Sequence, residues 1–190
     1  METLATCTPL EGVLVVEIKY VRDERGFFIE SYHKQRFAEI GIADEFVQDN
    51  HSRSSAQVLR GMHYQDLTAP MAKLVRCTQG SIFDVVVDLR IGSPTFAKWF
   101  GVELTAENKK QIFAPVGFAH GFVTLSELAD VQYKCTGFYS PSAERTLAWD
   151  DPELGIEWPI KAPILSKRDS NGMSLRQYLD NPAFHHRIGA

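Results

Sequence analysis

Lys73-Leu74-Val75-Arg76-Cys77, then Gln79-Gly80, then Ile82-Phe83-Asp84-Val85-Val86-Val87-Asp88-Leu89 reads as strand, turn and strand, and this unit decides the fold. The second run is rich in valine, which suits a pleated, half-buried surface, and the Gln-Gly pair predicts a hairpin turn. Phe83, Val85, Val87 and Leu89 alternate as a dry face, with Asp84 and Asp88 on the opposite one. Working outward, similar segments recur at Phe46–Asn50, Gln57–Arg60, Trp99–Leu104, Gln111–Ala114, His120–Leu125 and Val131–Thr136. Gly12–Val21 and Phe27–Tyr32 are two more, and Ile91-Gly92-Ser93-Pro94 reads as a longer loop. Many short antiparallel strands at this spacing imply a sandwich or barrel.

Helical spacing is confined to two places. His33–Ile40 has Phe37 and Ile40 on one side and Gly41 as a stop. Leu175, Tyr178 and Leu179 predict a short C-terminal helix after a Ser170-Asn171-Gly172 start. No repeat, low-complexity stretch or linker interrupts the chain, so residues 1–190 are read as one domain with a short helical tail from about residue 170.

With 190 residues the chain can bury a full core without disulfides. A net charge of -4 argues against nucleic acid as a partner, since phosphate-backbone binders carry a basic excess. Cys7, Cys77 and Cys135 are scattered and odd in number, which predicts reduced thiols in a cytoplasmic protein. Glu2 and Glu11 do not fit a secretory leader, and no apolar run approaches a membrane span, so no membrane partner is expected.

The chemistry concentrates in Arg60-Gly61-Met62-His63-Tyr64-Gln65, in Lys73, and in Gly117-Phe118-Ala119-His120-Gly121-Phe122. Ionisable groups on apolar strands are costly unless they face a wet cavity or a ligand. Each has a plainer reading when taken alone: a structural histidine, a core tyrosine at Tyr133, solvated edge charges at Arg60 and Lys73. By alternation Gln48 and Asn50 share a face, Lys73 goes with Val75, and Tyr133 goes with Val131 and Cys135. Arg60 and His63 are three apart and would point to opposite sides of a regular strand. If both serve one pocket, a bulge near Gly61 is required.

Pro115-x-Gly117-x-x-His120 resembles the second signature of the cupin superfamily. Where metal-binding cupins have two histidines and then a glutamate, this chain reads His63-Tyr64-Gln65, and no Glu follows before Lys73. No metal is expected. Several further blocks resemble the dTDP-4-dehydrorhamnose 3,5-epimerase family in the expected order. They are Asp23-Glu24-Arg25-Gly26-Phe27-Phe28, Phe46–Ser52, Val58–Gln65, Lys73–Arg76, Phe83–Arg90, Gly117–Phe122 and Trp149-Asp150-Asp151-Pro152. The resemblance runs from about Gly12 to Asp169 and implies a mainly β, cupin-type jelly-roll barrel or sandwich with short flanking helices.

It also implies a reaction and its residues. The family epimerises C3 and C5 of dTDP-4-dehydro-6-deoxy-D-glucose, whose ketone acidifies the hydrogens on both flanking carbons. Inversion needs a base on one face and a proton donor on the other. His63 matches the base, Tyr133 the donor, Asp169 the carboxylate that orients the base, and Lys73 the cation that stabilises the enolate. His120 matches a sugar-pocket position. Arg25, Glu30, Gln48, Asn50 and Arg60 match nucleotide-sugar contacts, as do Glu144 and Arg168, and Tyr139 matches the residue that stacks on the base. Arg168 stands where lysine is common, and Pro70-Met71-Ala72 where glutamine is frequent. No cofactor is implied, and a homodimer is, with N-terminal strands adding to a partner's sheet. The competing readings are a single-carbon epimerase, a non-catalytic sugar-nucleotide binder, and a metal-dependent cupin oxygenase or isomerase.

Overall fold

The computed structural model describes residues 1–186, and two antiparallel sheets packed face to face form its frame. The chain begins with β1 (Thr3–Cys7), β2 (Leu14–Ile18), the hairpin strands β3 (Val21–Asp23) and β4 (Gly26–Phe28), and helix α1 (Lys34–Glu39). It continues through β5 (Gln48–Ser55), β6 (Leu59–Gln65), β7 (Lys73–Gln79), β8 (Ser81–Asp88) and β9 (Arg90–Ile91). Then come β10 (Trp99–Thr105), β11 (Gln111–Ala114), β12 (Phe118–Thr124), β13 (Leu128–Cys135) and β14 (Glu144–Thr146). A 3₁₀ turn (Asp169–Asn171), α2 (Leu175–Asp180) and β15 (Phe184–His185) complete it. The larger sheet has the order β1-β2-β11-β7-β13-β5 and the smaller β10-β8-β12-β6-β14, a jelly-roll sandwich of the cupin type. No helix among the described residues is long and apolar enough to cross a membrane.

The turn at Gln79-Gly80 exists, with Gly80 at φ +71, but it is not a hairpin. β7 pairs with β11 and β13, while β8 pairs with β10 and β12, so the chain passes from one sheet to the other there. Burial decides this. Val75 and Cys77 of β7 and Ile82 and Val86 of β8 meet in the core between the sheets, which strands paired edge to edge could not do.

The two faces of β8 also carry different roles from those their alternation suggests. Val85, Val87 and Leu89 form the outer face of the smaller sheet, covered by Leu147, Leu154, Leu175, Tyr178 and Phe184 of the C-terminal segment. The aspartate face is the interior, and both Asp84 and Asp88 are fully buried. α2 starts at Ser174, not at Ser170-Asn171-Gly172. Ser174 and Gln177 form a reciprocal capping box, and the earlier residues form the 3₁₀ turn. Tyr178 then anchors the helix by donating to the Leu89 carbonyl at 2.6 Å. On the other side α1 lays Phe37 against Val16, Ile18, Leu74 and Phe113 of the larger sheet, and Gly41 at φ +94 ends it.

One N-terminal expectation changes. Val13 is buried in the core between the sheets and Val16 and Ile18 beneath α1, while β1 pairs along the edge of β2. The exposed apolar surface lies instead on the following hairpin, at Val21, Phe27 and Phe28. The strand expected over 27–32 stops at Phe28, since only β3 is there to pair with it.

The bulge required near Gly61 is present. His120 faces His63 and Phe122 faces Arg60, so three residue steps on β6 match two on β12. Gly61 sits at φ +149, and a Cβ there would fall 2.6 Å from the Gly121 Cα. Gly61→Ala is therefore expected to lower stability by about 2 kcal/mol or more, through backbone strain and overpacking together. A denaturant midpoint equal to that of the unaltered protein would contradict this account of the bulge.

Candidate active site

The bulge turns Arg60 and His63 into the space between the sheets. β12 sets His120 beside His63 on the smaller sheet, while β7 and β13 bring Lys73 and Tyr133 from the larger one. These side chains line a cavity of about 520 Å³, closed on one side by Ser166, Lys167, Arg168 and Asp169. A second cavity of about 320 Å³ shares His63, Lys73, Tyr133 and Arg168 and adds Gln48, Asn50, Tyr139 and Glu144.

His63 Nε2 lies 2.5 Å from Asp169 Oδ1. A carboxylate only accepts, so the proton of the neutral ring resides on Nε2 and the lone pair on Nδ1. Burial lowers the His63 pKa, and the charges of Lys73 and Arg168 act in the same direction, against the opposing pull of Asp169. The ring thus stays unprotonated into weak acid. Burial raises Asp169, but its bonds from His63 and Ser166 and the nearby Arg168 outweigh that and keep it below the ordinary carboxylate range. If His63 is the base, kcat/KM is expected to hold its plateau until the pH falls below the usual imidazole range. An acid limb at or above that range in a pH–rate profile would contradict the direction of the shift.

Burial depresses the Lys73 pKa, with Arg168 acting the same way and Cys135, Glu144 and Asp84 opposing, and among the described residues Lys73 has no salt-bridge partner. Tyr133 is pushed the other way, since burial raises its phenol above its ordinary value. It therefore keeps its proton through neutral pH. His120 Nε2 is 3.0 and 2.9 Å from the two oxygens of Asp84, a fully buried carboxyl whose pKa is raised by burial and lowered by His120 and Lys73.

The second cavity is held by a polar net. Arg168 Nη1 donates to Glu144 Oε2 at 2.5 Å, and the Tyr139 hydroxyl donates to the same oxygen at 2.9 Å. Arg168 Nη2 lies 3.4 Å from the His63 Nδ1 lone pair, the one ring nitrogen that can accept from it, and passes 3.0 Å from the Nε2 that faces Asp169. Gln48 donates to Asn50 and accepts from the Tyr139 backbone, both at 3.1 Å. Arg60 is braced by the Ser54 hydroxyl at 3.0 Å and the Arg53 carbonyl at 3.2 Å.

Of the residues expected from the sequence, Arg25 and Glu30 lie outside both cavities. Arg25 is exposed at the β3–β4 turn and paired with Asp23 at 2.5 Å, and Glu30 pairs with Arg36. Asp84, Ser166 and Gln65 were missed. The signal for Ser166 was its place three residues before Asp169, the spacing of a capping motif. Gln65, at the third position of His63-Tyr64-Gln65, ties two loops at the mouth. It donates to the carbonyls of Ala69 (2.7 Å) and Phe138 (3.2 Å) and accepts from Ser140 N (2.7 Å). Among the described residues no three His, Cys, Asp or Glu side chains are grouped to hold a metal.

A half-buried imidazole backed by a carboxylate, in one cavity with a protonated phenol and a lysine, is suited to proton transfer beside a carbonyl. Comparison with known proteins gives the same direction. The family model for dTDP-4-dehydrorhamnose 3,5-epimerase matches residues 7–177. The dTDP-4-dehydrorhamnose 3,5-epimerase of Salmonella typhimurium is 53% identical over 174 residues, spanning 90% of this chain and 95% of the relative. The dTDP-4-dehydrorhamnose 3-epimerase of Streptomyces niveus is 40% identical over 172 residues, spanning 90% and 83%. The crystal structure of dTDP-6-deoxy-D-glucose-3,5-epimerase from Legionella pneumophila in complex with dTDP-4-keto-L-rhamnose aligns with a TM-score of 0.93 at 44% identity. That alignment covers 98% of this chain and 100% of the other. The chain belongs to the dTDP-4-dehydrorhamnose 3,5-epimerase family.

Proposed function

We propose that the protein epimerises C3 and C5 of dTDP-4-dehydro-6-deoxy-D-glucose to give dTDP-4-dehydro-L-rhamnose, without a cofactor. One observation carries the reading: His63, backed by Asp169, and Tyr133 line one cavity from opposing sheets. His63 Nδ1 takes the proton from a carbon beside the 4-keto group, and the C–H electron pair moves into an enolate. The Lys73 ammonium stabilises the enolate oxygen, and Tyr133 returns a proton to the opposite face of the same carbon. Arg60 and Arg168 attract the diphosphate, Gln48, Asn50 and His120 hold polar groups of the ligand, and Tyr139 stacks on the base beside Glu144.

Proton NMR in deuterated water with the 4-keto-6-deoxyglucose nucleotide tests this directly. Deuterium is expected at both C3 and C5 of an inverted sugar. Incorporation at one carbon alone would favour a single-carbon epimerase, the activity named for the Streptomyces niveus relative. Binding with no exchange would leave a non-catalytic sugar-nucleotide binder.

We further propose that the protein acts as a cytoplasmic homodimer. Three free cysteines, two of them buried, suit a reducing compartment. Val21, Phe27 and Phe28 form an exposed apolar hairpin that a second copy would cover, with Arg25 at its turn and Glu30 just beyond. Light scattering is expected to give twice the chain mass at micromolar concentration, and a monomer there would overturn the assignment.

A further inference from the structure

We propose that Ser166 is a positioning residue that tunes the basicity of His63 through Asp169, an inference that rests on His63 being the base. The Ser166 hydroxyl makes two bonds to one residue. It accepts from the Asp169 backbone N–H at 3.1 Å and donates to Asp169 Oδ2 at 2.7 Å. Holding the 3₁₀ turn needs only the first bond. The second places a proton on the carboxylate oxygen that His63 does not use, since His63 meets Oδ1. No other donor reaches Oδ2 among the described residues, and the Asp169 side chain is only 3% exposed, so water has little access to replace the hydroxyl.

Two effects follow from that position. The bond fixes the rotation of the carboxyl plane, and with it the direction in which His63 is held. It also draws negative charge toward Oδ2, away from the imidazole, which limits how strongly Asp169 stabilises the imidazolium. The other charged and titratable groups around His63 are Arg60 on its own strand, Lys73 on β7, Lys167 beside Ser166, Arg168 with Glu144 behind it and Asp169 Oδ1 at 3.8 Å, His120 with Asp84 on the adjacent strands, and Tyr133 on the opposing sheet. Among the described residues the Ser166 hydroxyl hydrogen-bonds only to Asp169, so a change there acts on His63 through Asp169.

The test compares the unaltered protein with Ser166→Ala and Ser166→Thr, using two readouts. One is the pH profile of kcat/KM for the 4-keto-6-deoxyglucose nucleotide. The other is the titration of the His63 ring protons by NMR in the ligand-free protein. In Ser166→Ala both the acid limb and the His63 midpoint should rise by about half a pH unit, a fraction of what a direct partner produces. Below the limb kcat/KM falls by about three-fold while KM at neutral pH stays unchanged. Ser166→Thr retains the hydroxyl and should restore both values. A His63 midpoint that stays put or falls in Ser166→Ala would overturn the proposal, even if activity dropped. Because the NMR titration needs no turnover, it reads the Ser166 coupling whether or not His63 proves to be the base.

Discussion

His63→Asn should reduce exchange of the sugar's α-hydrogens by about a thousand-fold, within the range that a single general base contributes. Asparagine is too short to replace the Nε2 contact with Asp169, but that carboxylate keeps the Ser166 hydroxyl as a donor and Arg168 nearby, and the amide's polarity suits the cavity. It has no nitrogen lone pair that accepts a proton near neutral pH. The loss should therefore fall on the chemical step, with thymidine diphosphate affinity by calorimetry close to that of the unaltered protein, because Arg60, Lys73 and Arg168 remain. Deuterium incorporation is the deciding measurement. Exchange at the original rate would remove His63 from the role. The next acceptor to test is then His120, whose Nε2 is already committed to Asp84.

Strand existence was legible because β-branched alternation and turn residues are local signals, and most strands of the two sheets lie within a few residues of where the pattern puts them. Partner choice was not. The Gln79-Gly80 turn reads as a hairpin because a turn signature encodes chain reversal, whereas the destination of each strand depends on which faces must meet across the core. β7 and β8 each had to bury a face against the other, so they separated into different sheets. The same blindness affects β8 itself. An aspartate opposite a dry face reads as solvated when one strand is considered alone. Once the second sheet closes over that face, Asp84 becomes interior, and the partner that satisfies it, His120, lies 36 residues away.

The site shows a similar division. The bulge at Gly61 could be argued from the three-residue offset between Arg60 and His63, because a pleat allows only two directions. The His63–Asp169 contact spans 106 residues and has no local trace. Its assignment came from family order, and only the geometry says which ring nitrogen faces the carboxylate. Arg25 and Glu30 match family contact positions by motif, and within one chain both lie outside the two cavities, a placement that depends on tertiary geometry and leaves no local trace.

Tyr133→Phe should separate two events that His63→Asn loses together. The phenylalanine ring retains the packing of Tyr133 beside Val131 and Cys135, so the fold and the position of His63 are preserved. What disappears is the hydroxyl, a proton donor kept protonated by its burial. His63 can still abstract the α-proton, exchange it with solvent and return a deuteron to the same face. Inversion, which needs a proton on the opposite face, should fall by about a hundred-fold or more. The expected spectrum shows deuterium washing into sugar of unchanged configuration, at a rate well above the appearance of epimer. Equal loss of wash-in and inversion would mean that Tyr133 is needed for abstraction itself. Undiminished inversion would assign the donor to water or to another side chain of the cavity.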